Sequence, residues 1–531
     1  MSNQASILEN VNFADDPALL GRLTSYDAGD ARPLLRLGEA MGAEQALQWA
    51  TDANRYPPEL VTHDRTGRRI DRVDFHPAWH NLMEVTIGAA VHTGPWGSPG
   101  SSHVQRAAQF FLTTQTEAGH GCPISMTYAV VPALRHQPEL ADRWMPGLLS
   151  TTYDRSFQPA GAKQGVLFGM AMTERQGGSD VRSNLTNAVP VETPGPGRRY
   201  EVTGHKWFCS APMNDAFLVL AQAPGGLSCF LLPRWREDGT QNALLIDRLK
   251  PKLGNRSNAS SEVRFEQAEA RLIGEEGRGL AVILEMVNHT RLDCVTGSAA
   301  LMRQSVIQAV HNARHRSTFG RPLVDHALMG NVLADLALET EAAMELMFRL
   351  AELFDDPGAA ALRRIGTPVA KYWVCKRTPA VVGEALECLG GNGYVEESPL
   401  PRIYRESPLN SVWEGSGNII CLDVLRAMHR SPGAAEAMAA ELERGRGRDS
   451  RLDDAIEDSQ RILASPPASE AGARSIVQDL AVTWQAVLLT QADNPAVAAA
   501  FLDGRLPKPR AVFGTLPSSH LDLVARVPAY S

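Results

Sequence analysis

The chain lacks the sequence features of secreted, metal-binding and membrane-spanning proteins. Its seven cysteines are scattered and odd in number, and no two are spaced as C-x-x-C, so neither a disulfide framework nor a zinc site is predicted. The stretch MSNQASILENVNFADDPALL contains no basic segment followed by an apolar one, and no run of about 18 apolar residues occurs. These absences predict a cytoplasmic protein without a signal peptide, a membrane span or a bound metal.

An excess of positive charge and several common catalytic motifs are also missing. The formal net charge is −8, so the chain as a whole should not attract nucleic acid or acidic membranes, although a local basic patch is compatible with this charge. The sequence contains no P-loop, no H-E-x-x-H and no G-x-S-x-G motif. Their absence argues against the commonest types of nucleotide hydrolase, zinc protease and serine esterase.

What is present is the composition of an ordinary globular protein, distributed over several domains. With 531 residues, 44% of them apolar, the chain is too long for a single core and predicts three or four domains. Helical spacing of apolar residues dominates residues 1–165 and 279–430, whereas short apolar runs rich in Gly and Pro dominate 166–278. Residues 431–531 have dense mixed charge with Pro and Ser breaks and predict a helical extension. The predicted fold class is mainly α with a central β domain.

Two stretches of the predicted β domain have features of a binding site for a flat polar ring or a phosphate. In MAMTERQGGSD (170–180), a strand-like run meets a loop whose glycines allow close backbone approach, and Thr173 and Ser179 add hydroxyl groups. In GHKWFCSAP, Phe208 and Ser210 share one face of a predicted strand. A plain hairpin loop and a half-buried strand with a core aromatic residue are the alternatives, and the residues alone leave both open.

Two stretches of the second helical region contain clusters of arginine or glycine. ARHRSTFGRP (313–322) brings three arginines to a predicted helix end, where they either clamp a phosphate or complement the helix dipole. ECLGGNGY (387–394) is typical of a helix C-terminus capped by left-handed glycines. It is not a dinucleotide fingerprint, because the last glycine and the preceding strand are missing. Close backbone approach to a ligand is its functional alternative.

The stretch NSVWEGSGNIICLDVLR (410–426) contains a candidate general base. Glu414 stands beside Trp413 and in front of Gly-Ser-Gly, at or just before the start of a predicted helix. The helix dipole would keep a carboxylate ionised there, which is the structural explanation of this residue. A positioned carboxylate beside an aromatic wall is also what a general base requires. The stretch alone leaves both interpretations open.

Taken together, these five stretches resemble the acyl-CoA dehydrogenase flavoprotein family. AMTERQGGSDVRS matches the first signature of that family, and ECLGGNGYVEESPLPRIYRES matches the second. The matching positions of the second signature are Glu387, Gly390, Gly391, Gly393, Glu397, Arg402 and Glu406. The resemblance covers roughly residues 50–430. The wording of MTERQGGSDVRSN, GHKWFCSAP and NSVWEGSGNIICLDVLR is similar to one branch, the AidB proteins of the alkylation response.

The resemblance implies a fold, a cofactor and an assembly. The implied fold is an N-terminal helical domain, a middle β-barrel and a four-helix bundle, with FAD bound in a homotetramer that is a dimer of dimers. The residues implied to hold the flavin are Met170, Met172, Thr173, Gly178, Ser179, Phe208, Cys209, Ser210, Trp413, Gly415, Ser416 and Asn418. The residues implied to reach the FAD of a neighbouring subunit are Arg316, Phe319, Gly390 and Gly391.

The resemblance also implies a reaction. Glu414 falls at the position of the base that removes the α-proton of an acyl-CoA thioester, and Arg291 at that of an arginine that tunes this base. Some relatives carry the base at the position of Thr290, so threonine here leaves Glu414 without a rival. Short or branched acyl chains, such as isovaleryl-CoA, are the implied substrates. A flavin oxidase of small alkylating or nitro compounds is an alternative, although a nitroalkane-oxidising relative would be expected to carry Asp at position 414.

Binding to double-stranded DNA, as part of the response to alkylation damage, is the other alternative that the AidB branch implies. Residues 431–531 contain ten Arg or Lys and thirteen Asp or Glu, a net charge of −3, whereas duplex DNA requires a basic footprint. The one basic cluster consists of Arg444, Arg446, Arg448 and Arg451, and acidic residues follow it at once. A solvated helix face explains this cluster equally well.

Overall fold

The chain folds as two compact units, each built from separate segments of the sequence. The structure, a computed structural model, describes residues 3–26, 30–97, 100–467, 469–492, 494–506 and 518–528. The barrel unit comprises Gln45–Ser101 and Thr116–Thr290. The helical unit comprises Met1–Glu44, Ser102–Gln115 and Arg291–Ser531. The four domains expected from the sequence are continuous segments of the chain, and they stay a prediction.

Helices dominate the first part of the chain. The helical unit contains α1 (Pro17–Ser25), α2 (Arg32–Gly42) and most of α6 (His103–Thr116), and the barrel unit contains most of α3 (Glu44–Arg55), α4 (Pro77–Gly88), α5 (Gly94–Gly97), α7 (Gly121–Leu134) and α8 (Pro138–Leu148). Asp16 caps α1, because its side chain accepts a hydrogen bond from the backbone N–H of Ala18 and Pro17 occupies the first helical position.

The barrel unit is built around a sheet that closes on itself. A separate hairpin consists of β1 (Glu59–His63) and β2 (Arg69–Asp74), and the large sheet of β3 (Phe168–Ala171), β4 (Asn187–Pro190), β5 (Arg199–Ser210), β6 (Ala216–Ala223), β7 (Gly226–Pro233), β8 (Leu244–Leu249) and β9 (Ser260–Ile273). Along this sheet the order is β3-β6-β4-β5-β9-β7, with β8 beside β9. Because β6 also pairs with β7, the strands β6, β4, β5, β9 and β7 form a closed ring.

The interior of the barrel is filled by side chains that alternate along its strands. In β5, Tyr200 and Val202 are fully buried, whereas Arg199, Glu201 and Thr203 are exposed. Phenylalanines of β6, β7 and β9 complete this core: they are Phe217, Phe230 and Phe265. The barrel is therefore a packed core, and its ligand contacts have to come from strand ends and loops.

Long helices form the rest of the helical unit, which resumes at Arg291, within the first of them. In chain order the elements are α9 (Gly279–His315), the hairpin strands β10 (Ser317–Thr318) and β11 (Arg321–Pro322), α10 (Ala327–Asp355), α11 (Ala360–Cys388), α12 (Gly391–Tyr394), α13 (Leu400–Glu406), α14 (Gly417–Arg430), α15 (Ala434–Glu443), α16 (Ser450–Ala464), α17 (Ala473–Gln491) and α18 (Pro495–Arg505). A last 3-10 segment spans Ser518–Arg526. The extension packs onto the bundle, since Trp484 of α17 is fully buried and Trp373 of α11 donates to the side chain of Gln485 in α17 at 2.8 Å.

One helix of the bundle, α10, carries a row of buried carboxylates that arginines from distant segments cover. Arg505 donates to Asp335 at 2.6 Å and to Glu339 at 2.9 Å, and Arg377 donates to Glu339 at 2.7 Å. Two further carboxylates of this row, Glu341 and Glu345, pair with Arg526 and Arg22. Both the first helix and the last segments of the helical unit are thus tied to α10 by charge.

The structure confirms the predicted fold class, mainly helical with a central β-barrel and a helical C-terminal extension. Across the described ranges, no helix has the length and apolar character needed to cross a membrane.

Candidate active site

In the barrel unit, the predicted flavin loop follows β3 and is fixed to β5. The strand ends at Ala171, and the backbone N–H of Trp207 in β5 donates to the carbonyl oxygen of Thr173 at 2.8 Å. Asn184 donates to the carbonyl oxygen of Met172 at 3.0 Å. These contacts bring the first predicted stretch beside the second, while Gly178 and Ser179 at the tip of the loop are exposed.

Beneath this loop lies a buried ion pair that the sequence analysis missed. Lys206 and Glu174 are both completely buried, and the ammonium donates to Glu174 Oε1 at 2.8 Å and to the carbonyl oxygen of Leu220 at 2.7 Å. Glu174 also accepts the backbone N–H groups of Leu185 at 2.7 Å and Thr186 at 3.1 Å. A buried charge needs such a full set of partners, so this pair fixes the start of the loop to the barrel.

The two groups of the pair have shifted pKa values. Burial alone would raise the pKa of Glu174, but hydrogen bonds, led by that from Lys206, lower it to about 2. Burial lowers the pKa of Lys206 to about 8, against the opposing effect of Glu174. Both groups therefore carry their charges at neutral pH.

Two bulges in β5, between Val202 and Gly204 and between Lys206 and Cys209, interrupt its alternation and set which side chains face outward at its end. Phe208 is 51% exposed and Ser210 is half-buried on the same face, whereas Cys209 points into the barrel core and is completely buried. Cys209 can therefore contribute to a cofactor site only through its main chain. Met170 and Met172 are half-buried at the end of β3 and the start of the loop.

In the helical unit, Glu414 occupies a strained turn that precedes α14. Its φ is +57°, in the left-handed region that residues other than Gly, Asn and Asp rarely adopt. Gly415 follows with φ +106°, and α14 begins at Gly417 after the N-cap residue Ser416. Glu414 thus stands two residues before the N-cap of α14, just before the helix as the sequence predicted.

The backbone of this turn is held by two buried cations. Arg291 Nε donates to the carbonyl oxygen of Glu414 at 3.0 Å. Lys371 Nζ donates to the carbonyl oxygens of Trp413 at 2.9 Å and Gly415 at 2.5 Å. Three consecutive carbonyl groups are therefore bound from α9 and α11. Arg291 was expected to act on the base through its charge, and its hydrogen bond to Glu414 is to the main chain.

Arg291 is itself fixed by an ion-pair network. Its Nη1 donates to Asp423 at 2.8 Å, and Arg364 donates to the other oxygen of Asp423 at 2.7 Å. Burial would raise the pKa of Asp423, but the two guanidinium groups hold it below its usual value. The anchor of the Glu414 turn is therefore ionised at neutral pH.

The neighbours of Glu414 are also held in place. Trp413 is half-buried, and its Nε1 donates to Asn410 at 2.8 Å; Asn410 in turn donates to Ser298 at 3.1 Å. At the start of α14, Asn418 is exposed and accepts a hydrogen bond from Arg474 of α17 at 2.9 Å. The C-terminal extension thus contacts a residue of the predicted site.

The residues implied to reach a second subunit lie together at another surface of the helical unit. Arg316 donates to the carbonyl oxygen of Asn3 and to the side chain of Gln4, both at 3.3 Å. Gln4 also accepts a hydrogen bond from Asn392, which directly follows Gly390 and Gly391. Phe319 is 98% exposed at the tip of the β10–β11 hairpin, with φ +50°.

The basic cluster of the extension is engaged within the molecule. Arg444 pairs with Glu441, Arg446 pairs with Glu443, and Arg451 pairs with Asp449 and Asp503. Arg448 donates to the carbonyl oxygen of Thr490 at 2.5 Å. Arg444, Arg446 and Arg448 lie between α15 and α16, so the cluster is not the helix face that the sequence suggested. Binding to double-stranded DNA stays a prediction.

Comparison with known proteins identifies the family. Residues 3–155 match the adaptive response protein AidB N-terminal domain, residues 169–268 the acyl-CoA dehydrogenase middle domain, and residues 277–429 the acyl-CoA dehydrogenase C-terminal domain. The chain is 45% identical to AidB of Escherichia coli (strain K12) over 507 residues, which are 94% of this chain and 93% of that protein. The chain belongs to the acyl-CoA dehydrogenase family, in its AidB-like branch.

Other acyl-CoA dehydrogenases agree with this assignment. Acyl-CoA dehydrogenase family member 11 of Caenorhabditis elegans is 30% identical over 485 residues, 85% of this chain and 76% of that protein. The crystal structure of Caenorhabditis elegans ACDH-11 in complex with C11-CoA superposes with a TM-score of 0.85 at 26% identity, covering 96% of this chain and 93% of that one. The chain is thus an oxidoreductase of the acyl-CoA dehydrogenase type, with the fold of that family.

FAD is the cofactor of acyl-CoA dehydrogenases, and the residues of this chain fit it. A flavin ring needs hydrogen-bond donors at its oxygens and nitrogens, and the exposed loop of Thr173–Ser179 offers hydroxyl and main-chain N–H groups. A pyrophosphate needs a cation or a helix N-terminus, and Arg316 is a cation among the residues implied to reach the FAD of a neighbouring subunit. Gly390 and Gly391 are exposed, and no atom lies within 4 Å of the place where a Cβ would be.

Proposed function

We propose that the chain is an FAD-dependent dehydrogenase of short or branched acyl-CoA thioesters, with Glu414 as the base. The observation that supports this best is the turn at Glu414, where a carboxylate is held in a left-handed conformation by main-chain contacts to Arg291 and Lys371. Strained backbone of this kind persists only where the surroundings enforce it, and it concentrates at functional sites.

The role of each residue follows from this arrangement. Glu414 removes the α-proton of the thioester and becomes neutral, while negative charge develops on the thioester oxygen. The backbone N–H of Glu414 is a donor for that oxygen, as oxyanion stabilisation requires. FAD, when bound, supplies the two-electron acceptor for the hydride of the β-carbon. The products are the α,β-unsaturated thioester and reduced cofactor.

The preference for short or branched chains rests on Trp413. This bulky ring adjoins the base and is immobilised through Asn410 and Ser298, so it limits the space beside Glu414. The Caenorhabditis elegans relative was solved with C11-CoA, so longer thioesters belong in any substrate panel.

The proposed assembly is a homotetramer with FAD at a subunit interface. Phe319, Leu328 and Tyr394 of the helical unit are each at least 80% exposed, which is unusual for large apolar side chains. Phe319 and Tyr394 belong to the two stretches implied to reach a second FAD, so these exposed groups mark the expected contact.

An anaerobic titration of the FAD-loaded protein with a panel of acyl-CoA thioesters tests the function. The flavin absorption should bleach with the preferred thioester in the parent chain. It should bleach about 1,000-fold more slowly in Glu414→Gln, which keeps the size of the side chain but removes the base. If no thioester bleaches a flavin that dithionite still reduces, the dehydrogenase proposal is wrong. Oxygen consumption with a nitro compound would then favour the oxidase alternative.

A further inference from the structure

Lys371 is a buried lysine whose contacts are concentrated on one turn of the backbone. It lies in α11, is 1% exposed and stands within the apolar sequence VAKYWVC. Its two hydrogen bonds go to the carbonyl oxygens on either side of Glu414. In the part of the chain that the structure describes, Lys371 forms no ion pair with a carboxylate, so carbonyl dipoles are its main compensation. Burying an ammonium in this way is costly.

The position of the two carbonyl acceptors explains what the lysine does. The carbonyl oxygens of Trp413 and Gly415 converge on a single ammonium, while that of Glu414 between them is bound by Arg291 from another helix. Lys371 binds the first and third of these carbonyl groups, and Arg291 binds the second. Together the two cations fix the orientation of the two peptide planes that flank Glu414. Those planes set φ at +57°, and they therefore set the direction in which the carboxylate leaves the backbone.

The two cations are not equivalent. Arg291 has a second function in the network with Asp423 and Arg364, so its removal would disturb more than the turn. The hydrogen bonds of Lys371 end on the turn alone. A change at Lys371 is therefore the cleaner way to release Glu414 without breaking an ion pair.

We propose that Lys371 is a positioning residue for Glu414: it holds the backbone of the turn so that the carboxylate reaches the α-carbon of the bound thioester. This inference rests on the proposed function of Glu414 as the base. Lys371 acts through the two carbonyl groups and touches neither substrate nor cofactor in this role. Displacements of about 1 Å in a reacting group are enough to slow a reaction about 100-fold.

The variant Lys371→Met tests the proposal, because methionine keeps an unbranched apolar side chain and removes the donor. Exchange of the α-protons of an acyl-CoA thioester with D2O, followed by NMR in the FAD-loaded protein, reports the base alone. We expect Lys371→Met to lower the maximal exchange rate about 100-fold while the thioester concentration at half-saturation stays within about threefold. Lys376→Met, which alters an exposed lysine five positions further along the same helix, should match the parent.

A second measurement does not need turnover. Amide hydrogen exchange over residues 412–418 should accelerate at least tenfold in Lys371→Met, and a crystal structure of the variant should show residue 414 outside the left-handed region. Exchange and structure like those of the parent would overturn the proposal, as would a loss of FAD and of thioester affinity together, which indicates a general structural role. If the parent itself exchanges no α-proton, the proposed function is wrong, and the amide exchange and the crystal structure alone decide whether Lys371 sets the turn.

A variant with a retained donor covers the case in which Lys371→Met does not fold. Lys371→Gln keeps N–H donors on a shorter side chain, so it should reach one of the two carbonyls at most. We expect an α-proton exchange rate between those of the parent and Glu414→Gln. A rate equal to that of the parent would contradict the inference.

Discussion

At position 414, the backbone conformation and the proposed chemistry make opposite demands. A glutamate in the left-handed region is less stable than a glycine by about 1 kcal/mol, because its Cβ crowds the following carbonyl group. The chain nevertheless has a carboxylate here and holds it with Arg291 and Lys371. The strained conformation lowers the stability of the fold but fixes the direction of the side chain. Strain of this kind is common at functional sites.

Replacing the strained residue should separate stability from activity. Glu414→Gly relieves the crowding, so the free energy of unfolding should rise by about 1 kcal/mol while reduction of the flavin by acyl-CoA is abolished. Thermal unfolding of the FAD-loaded protein together with the anaerobic titration measures both effects. Gly415→Ala is the matched control: it adds a Cβ at φ +106° and should lower stability. A Glu414→Gly protein that is less stable than the parent would contradict this account of the turn.

The buried pair under the flavin loop makes a second residue-scale prediction. Lys206→Met leaves Glu174 buried without its ammonium partner and should cost about 3 to 5 kcal/mol of stability. FAD should also be retained less well, because the loop of Thr173 is no longer fixed at its start. Urea unfolding and the flavin content after gel filtration measure these two effects. The double variant Lys206→Met/Glu174→Gln should recover part of the stability. No recovery would show that the unpaired charge of Glu174 is not the cause of the loss in Lys206→Met.

Among elements, α10 shows how charge can hold helices together inside a protein. The carboxylate of Glu339 is buried between Arg377 and Arg505. Burial would raise its pKa, but the two guanidinium groups lower it to about 2. Since the pKa in the folded state lies below the ordinary value of 4.5, the pair stabilises the fold fully above that value. The contribution is lost as the pH falls from about 4.5 towards 2.

Glu339→Gln should therefore lower stability by an amount that depends on pH. At pH 7 the expected loss is about 3 kcal/mol, because Arg377 and Arg505 then face an uncharged amide in a buried position. Below about pH 4 the parent loses the same advantage, and the difference between the two proteins should shrink. Urea unfolding at pH 7 and at pH 3.5 measures it. A difference that is constant with pH would exclude the charge as its cause.

Features that depend on neighbouring residues could be predicted from the sequence. Contacts between residues that are distant in the sequence could not. Alternation in β5 correctly placed Phe208 and Ser210 on one face, because that pattern is local. Lys206 and Glu174 are 32 residues apart, and Lys371 lies 42 residues before Trp413, so nothing in the sequence joins them. A lone lysine in VAKYWVC was the available signal, since charge within an apolar helix face predicts a buried role.

On the scale of the whole molecule, every cysteine is buried and free. Burial raises the pKa of several of these thiols, among them Cys421 to about 11 and Cys388 to about 12. A thiol reagent such as Ellman's reagent should therefore modify none of the seven in the native protein at pH 8 and all seven in denaturant. Fast modification of one thiol in the native state would reveal local opening at that position.

The proposed tetramer gives a further prediction at this scale. Phe319→Arg places a charge at the tip of an exposed hairpin and has little effect on the fold of one chain, because the side chain is 98% exposed. We expect it to weaken assembly and FAD retention together, as measured by analytical ultracentrifugation and flavin content. Val189→Arg, the same kind of change at a 57% exposed site of the barrel unit, should alter neither. An unchanged tetramer in Phe319→Arg would place the interface elsewhere.

The two units are completed at different times during translation, because each consists of separate segments of the chain. The barrel unit is complete once Thr290 has been synthesised, so it can fold while translation continues. The helical unit cannot: Asp335 and Glu339 of α10 receive Arg505, and Glu341 receives Arg526, only when these late segments have emerged. A nascent or prematurely terminated chain that lacks these residues presents uncovered carboxylates on its central helix. These exposed carboxylates distinguish an unfinished chain from a finished one, and chaperones and proteases can act on that difference.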